Sequence, residues 1–291
     1  MKVLMENWRK FVNESEASDA LVKGQNLGLE QYTALLKQIA ADPEFRALAA
    51  AGRSDAAGPD DEAIKVDKGT PVAAINLTPT QMDIDLDKSL GDQMTNKYNA
   101  TTYALEDVVT MPSPGGRIPL LVFENKYILD GHHRWSQVLM TNPGGEMTVN
   151  SMSSPAFGTG PEGAERALKA TQLAIAALAG NVVTKSTKTN LLAIQPKQLE
   201  AYVIKNINDE ALQILVNAKK ISQPDRQEAG RYYMNNLAAV QEKPAGAFER
   251  EKGMPQADDS GVPQANVDAA LEKGQINFNR PNPQDVKKAA E

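Results

Sequence analysis

Apolar positions recur at helical spacing at both ends of this chain and at strand spacing in between. Near the start, Leu4, Trp8, Phe11 and Val12 share one helical face, while Glu6, Arg9, Lys10 and Asn13 lie on the others. Met1 to Glu14 is therefore expected as a short amphipathic helix, followed by the polar stretch Ser15 to Asp19. A helix of about four turns is marginal alone and must dock on something to persist. A second helical stripe, Tyr32, Leu35, Leu36, Ile39 and Phe45, runs from about Leu29 to Ala50. Residues 51–63 (AGRSDAAGPDDEA) are small and acidic with Gly and Pro, a linker composition that marks a domain boundary.

Beyond the linker the period changes. Val72 to Leu77 reads as a short strand, Thr78-Pro79-Thr80-Gln81 as a turn, and Asp85 or Asp87 as the cap of a helix through about Tyr98. Leu105 to Val109 is a further short element. The run Pro112-Ser113-Pro114-Gly115-Gly116 is a loop, because its prolines and glycines continue neither a helix nor a central strand. Ile118 to Phe123 has strand length, Glu124-Asn125 is a two-residue turn, and Lys126 to Leu129 is the return strand. After Asp130-Gly131, His132 to Met140 carries Trp135, Val138 and Leu139 at helical spacing, until Asn142-Pro143-Gly144-Gly145 stops it.

From Pro161 to about Gln241 the pattern is helical, with helices expected at Ala167 to Leu178, Pro196 to Ile204, Asp209 to Ala218 and Asp225 to Val240. The last stretch has few apolar residues and is expected to be mostly disordered, with one short helix around Val267 to Glu272. The expected organisation is a leader helix (1–16), a helical segment (17–50), a linker (51–63), a small mixed-sheet domain (64–155), a helical region (156–242) and a tail (243–291). The fold class is α+β.

Composition narrows the function classes. Hydrophobic residues make up 41% and charged residues 23%, both ordinary for a globular chain, but aromatics at 5% are sparse and predict a modest core. The formal charge of −6 argues against coating nucleic acid by bulk electrostatics, and leaves room for a local basic site. The absence of cysteine excludes disulfides, thiolate–zinc sites and thiol nucleophiles. No apolar run approaches the roughly 20 residues that cross a bilayer. The expected location is the cytoplasm of a host cell, or the inside of a particle assembled there.

Chemistry concentrates at one place. The chain has 2 histidines, and they are adjacent: His132 and His133 stand between Asp130-Gly131 and Arg134. A helix start presents unpaired N–H groups and the positive end of the dipole. Gly131 allows close backbone approach and Arg134 can fork onto phosphate oxygens. The imidazoles of His132 and His133 can donate a hydrogen bond or move a proton. Asp130 can hold a magnesium ion or orient a histidine. Gln81, Asp83, Asp85 and Asp87 add an acidic patch, with Asp85 the second candidate metal ligand. Arg117, after Gly115-Gly116, is a further candidate for a phosphate. Phe157-Gly158-Thr159-Gly160 looks like a glycine-rich phosphate loop but lacks the following Lys-Ser or Lys-Thr. The Tyr232-Tyr233 pair reads as helix packing.

The run Lys126 to Trp135 (KYILDGHHRW) resembles the signature of the ParB/sulfiredoxin superfamily, in which a hairpin delivers a Gly-x-His-Arg type of turn at a helix start. Arg117 to Val122 resembles the family's Pro-Ile-x-Val strand, and Val72 to Asp85 its opening strand and loop. The resemblance covers about residues 64–150. It implies a ParB/sulfiredoxin-like core that grips the phosphates of ATP, CTP or DNA, with Gly131, His133 and Arg134 as the matching residues. The family's sulfiredoxins carry cysteine where His132 stands, so peroxiredoxin repair is excluded. The Asp-Gly-His-x-Arg form is closest to ParB-like free-serine kinases and phage-borne ParB-like nucleases.

That resemblance implies phosphoryl transfer or phosphodiester hydrolysis. Arg134 would stabilise charge, His132 or His133 would act as acid or base, and Asp130 or Asp85 would hold magnesium. The same pocket could instead bind nucleotide or DNA without chemistry. The leader resembles the cleavable targeting leaders of internal head proteins in large tailed phages, with a cut after Glu14 or Glu16. That likeness implies phage head proteins as partners and a structural role inside the virion. Ala-rich helices make homo-oligomers a further expectation.

Overall fold

A computed structural model describes residues 36–37, 40–43, 46–47, 64–113, 116–182, 187–242, 257 and 260–276. The chain divides into two compact units, one joining 67–151 with 186–252, the other joining 1–66, 152–185 and 253–291. The first unit thus takes in helices that follow the sheet by some fifty residues in sequence, because they share its apolar core (see Val203, Leu212 and Leu237 beside Trp135 and Val149).

The strands are β1 (Lys65–Ala73), β2 (Val108–Val109), β3 (Met111–Ser113), β4 (Gly116–Ile118), β5 (Leu120–Phe123), β6 (Tyr127–Asp130) and β7 (Glu146–Ser153). Five of them form a mixed sheet in the order β1-β7-β5-β6, with β2 running parallel to β7. β3 and β4 make a separate antiparallel ribbon. The fold is α+β, as the change of period indicates.

Three differences from the sequence expectation have plain causes. β1 begins at Lys65, well before Val72, because most of its residues face solvent and no apolar alternation marks them, and it ends at Ala73, the rest of the expected strand being a short 3-10 helix at Ala74–Asn76. The expected strand Ile118 to Phe123 is cut at Pro119, which has no N–H for a ladder, into β4 and β5. β7, a neighbour of β1, β2 and β5, is foreseen by no hydrophobic run. Its buried positions include Asn150 and Ser151, whose side chains accept the N–H groups of Gly69 (3.2 Å) and Asn125 (2.8 Å). A strand whose interior positions are partly polar hides from a search by periodicity.

The helices of this unit are α1 (a wide turn Asp87–Gly91 continued by Asp92–Thr95), α2 (Lys97–Leu105) and α3 (His132–Thr141). After the sheet come α5 (Pro196–Asn206), α6 (Asp209–Asn217) and α7 (Arg226–Gln241), within a residue or two of the expected spans. Trp135 of α3 is fully buried and its indole N–H donates to the Ala74 carbonyl at 2.9 Å, so the ring is both packed and hydrogen-bonded.

The last carbonyls of α3 are satisfied from the helical segment. Tyr232 Oη donates to Thr141 O (2.6 Å) and Asn236 Nδ2 to Met140 O (2.8 Å). Lys220 Nζ donates to Asn142 Oδ1 (2.9 Å), and partial burial lowers the pKa of its ammonium. Tyr232 and Tyr233 are packing residues: Tyr233 is buried and the rings meet edge to face at 5.7 Å.

In the other unit, α4 (Gly160–Ala179) ends on Gly180 in the left-handed region and packs against α8 (Gln264–Glu272). Gly160 of the glycine-rich run opens α4, and the Arg166 guanidinium donates to Phe157 O at 2.6 Å. Residues 36–37, 40–41, 43 and 46–47 are helical, with Leu36 and Ala40 buried. The expected leader helix, its cleavage points at Glu14 and Glu16 and the linker lie outside the described residues, as does most of the tail.

Candidate functional site

The site is assembled from the β5–β6 hairpin outward. Its turn residues Glu124 and Asn125 have φ 53° and 54°, the paired positive values that let two residues reverse right-twisted strands. The register steps from Leu121 opposite Asp130 to Val122 opposite Ile128, so β6 carries one extra residue, Leu129. Such a bulge re-aims the strand end. Here it delivers Asp130 and Gly131 to the start of α3.

Gly131 has φ 103°, and a Cβ at this position would stand 2.3 Å from Leu120 Cδ2. Only glycine fits this backbone in this packing. It also leaves the start of α3 with no side-chain cap.

The two histidines turn toward the segment that runs from Thr78 to α1. Thr80 N–H donates to His132 Nε2 at 2.9 Å, and Asp85 N–H donates to His133 Nε2 at 3.2 Å. His132 is buried, whereas His133 is only partly so. The Thr80 hydroxyl lies 3.2 Å from the same His132 nitrogen but donates to Ile128 O at 2.6 Å. Both Nε2 atoms are therefore acceptors, which places the proton of each neutral ring on Nδ1.

Arg134 folds back over the hairpin. Its Nη2 lies 3.6 Å from Asp130 Oδ2 and its Nη1 3.4 Å from Ile118 O, both long contacts. Asp130 is itself buried. The Arg134 charge is felt at Tyr103 of α2, whose phenol pKa is raised by burial and pulled back by Arg134. Arg117 pairs with Pro112 in the β3–β4 ribbon, and its side chain lies outside the described part.

The acidic candidates belong to a folded segment. Asp85 Oδ1 accepts the N–H groups of Asp87 (2.9 Å) and Lys88 (3.2 Å), and Oδ2 accepts that of Lys188 (3.0 Å). It accepts the first N–H groups of α1 as a cap does, and is one of the two candidates, Asp85 and Asp87, that the sequence offers. Asp87 accepts from Tyr202 Oη at 2.8 Å; burial first, then this bond, raises the Tyr202 pKa. Asp83 Oδ1 accepts from Asn190 Nδ2 at 2.8 Å. Gln81 Oε1 is buried with no hydrogen-bond partner. Among the described residues no group of three or more His, Asp or Glu side chains is placed to hold a metal ion.

Sequence reasoning missed four residues that build this place. Asn190 clasps the 82–84 backbone: its Oδ1 accepts Ile84 N–H at 3.1 Å and its Nδ2 donates to Met82 O at 3.0 Å. The same Oδ1 accepts Leu192 N–H at 3.0 Å, an Asx-type turn that is the one local signal Asn190 gives. Thr80 and Ser89 give none, because their partners lie about fifty residues away in sequence, and Ser136, which lies 2.9 Å from His133 O as well as from Ser89 Oγ, reads as an ordinary helix serine.

Comparison with family models, with curated proteins and with solved structures returned no match. No helix among the described residues is long and apolar enough to cross a membrane.

Proposed function

We propose that the unit built from 67–151 and 186–252 is a ParB/sulfiredoxin-like module that binds the phosphate of a nucleotide or of nucleic acid at the start of α3. The observation that carries this reading is the left-handed Gly131, whose place no side chain can take, set directly before a helix start with Arg134 in its first turn. Backbone N–H groups and a guanidinium at a helix start are the combination that phosphate oxygens select. The hairpin, glycine turn and helix follow the order of elements that the resemblance implies.

The module reading is preferred here to phosphoryl transfer or hydrolysis. His132 Nε2 and His133 Nε2 accept backbone N–H groups, and both Asp85 carboxylate oxygens do the same. These groups hold the fold together around the turn, which favours a site that binds an anion over one that transforms it.

Thermal denaturation in the presence of ATP, CTP, GTP, inorganic phosphate or a short DNA duplex, with and without magnesium, tests it. A ligand held by the native state raises the midpoint. The expected result is a rise for at least one phosphate compound, lost in Arg134→Ala. If none of these ligands moves the midpoint, the phosphate reading fails. Turnover of a bound nucleotide would replace the binding module by an enzyme.

A further inference from the structure

We infer that a single buried water molecule joins α1 to α3, held between the side chains of Gln93 and Gln137. Both glutamines lie inside the protein, Gln93 at 2% and Gln137 at 5% exposure. Three hydrogen bonds cross the seam around them. Ser136 Oγ lies 2.9 Å from Ser89 Oγ, Gln137 Nε2 donates to Lys88 O at 2.9 Å, and Thr141 Oγ1 donates to Gln93 Oε1 at 2.6 Å. Two polar atoms are left over. Among the described residues, neither Gln93 Nε2 nor Gln137 Oε1 has a hydrogen-bond partner.

The two leftovers are neighbours. Gln137 and Thr141 stand one turn apart on the same face of α3, with about 5–6 Å between Cβ atoms. Lys88 and Gln93 are spaced along α1 by its wide turn, so that Lys88 O meets Gln137 and Gln93 meets Thr141. The free nitrogen and the free oxygen therefore border the same gap between the helices.

Their chemistry selects water. A carbonyl only accepts, so Lys88 O holds the Gln137 amide with its nitrogen toward α1 and its oxygen free. The Thr141 hydroxyl donates or accepts, so the Gln93 amide presents either atom to the gap by turning over. Water satisfies both arrangements: it donates to Gln137 Oε1 and either accepts from Gln93 or donates to it. Leaving both groups bare would cost the desolvation of each, and buried waters sit where two or more such groups converge. This site rests on the seam alone and does not depend on the phosphate reading.

A crystal structure of the full chain, at a resolution that shows ordered waters, should place one within about 3.2 Å of both Gln93 Nε2 and Gln137 Oε1. Gln93 bonded directly to Gln137, or a gap without density, overturns the inference. In solution, a long-lived water should give a nuclear Overhauser effect from water to the Gln93 carboxamide protons. Gln137→Met removes one anchor, and that signal should fall by about threefold or more. A signal that survives Gln137→Met is relayed from the Thr141 hydroxyl and overturns the site. Should that variant fail to fold, the density in the parent protein decides.

Discussion

Two helix starts lie side by side in this protein, and they are finished in opposite ways. At α1 the chain supplies its own anion: the Asp85 carboxylate gathers the N–H groups of Asp87, Lys88 and Lys188. At α3 the residue in the capping position is Gly131, which has no side chain to give. The two starts are tied together through His133, which accepts the Asp85 N–H. One end of this pair is closed by structure, and the other is shaped so that nothing larger than hydrogen occupies residue 131. A glycine that caps nothing, in a conformation other residues resist, makes sense where the backbone must come close to something else.

The largest effect should come from filling the glycine. Gly131→Ala combines a left-handed backbone with a Cβ 2.3 Å from Leu120 Cδ2. Strain and overpacking together should lower stability by about 3 kcal/mol. Urea unfolding measures this as a drop in the midpoint with an unchanged slope. A loss under about 0.5 kcal/mol would mean that the turn relaxes easily, and the contrast between the two starts would dissolve.

Next in size is the closed start itself. Asp85→Ala strips three backbone N–H groups of their acceptor. The expected loss is about 2 kcal/mol, at the upper end for a cap because Lys188 is tied by the same carboxylate. Asp85→Asn keeps one oxygen and should recover roughly half of that. If Asp85→Ala melts like the parent, the carboxylate is not what closes α1.

How much of this was legible beforehand follows the range of each interaction. The hairpin, the glycine and the helix that begins at His132 are written in adjacent residues, so period and turn chemistry exposed them. The cap Asp85 was legible for the same reason. β7 was not, since its buried Asn150 and Ser151 make sense only once Gly69 and Asn125 are known to face them. The roles of the two histidines were equally hidden. Their position at a helix start pointed outward to a ligand, whereas their ring nitrogens face inward to Thr80 and Asp85. Local sequence told which groups were present. The partners that decide what those groups do were supplied by a segment some fifty residues away.

Asn190 probes that distant segment with a smaller expected effect. It holds the 82–84 backbone by two hydrogen bonds and Asp83 by a third. Asn190→Ala should cost about 1.5 kcal/mol, because Ile84 N–H loses its acceptor while the exposed partners turn to water. Amide exchange should show the loss at Ile84 first. Unchanged protection there would show that the segment is held from the α3 side alone.

The smallest effect on stability is expected at Asp130, and it sharpens the comparison most. Its contact with Arg134 is 3.6 Å, and Arg134 meets Ile118 O at only 3.4 Å. The pair is long, and although Asp130 is buried the amide keeps its shape, so Asp130→Asn should change stability by no more than about 1 kcal/mol. Its effect on an anion should be of opposite sign. The carboxylate competes with phosphate for the guanidinium and repels it, and the amide does neither. Phosphate or nucleotide affinity should rise roughly fivefold, about 1 kcal/mol, measured by calorimetric titration at pH 7.5. At the closed start the same change of charge, Asp85→Asn, should leave that affinity within about twofold, a difference of some 0.4 kcal/mol. Equal responses at both positions would mean that any anion responds to net charge alone, and that the start of α3 is not the place where it sits.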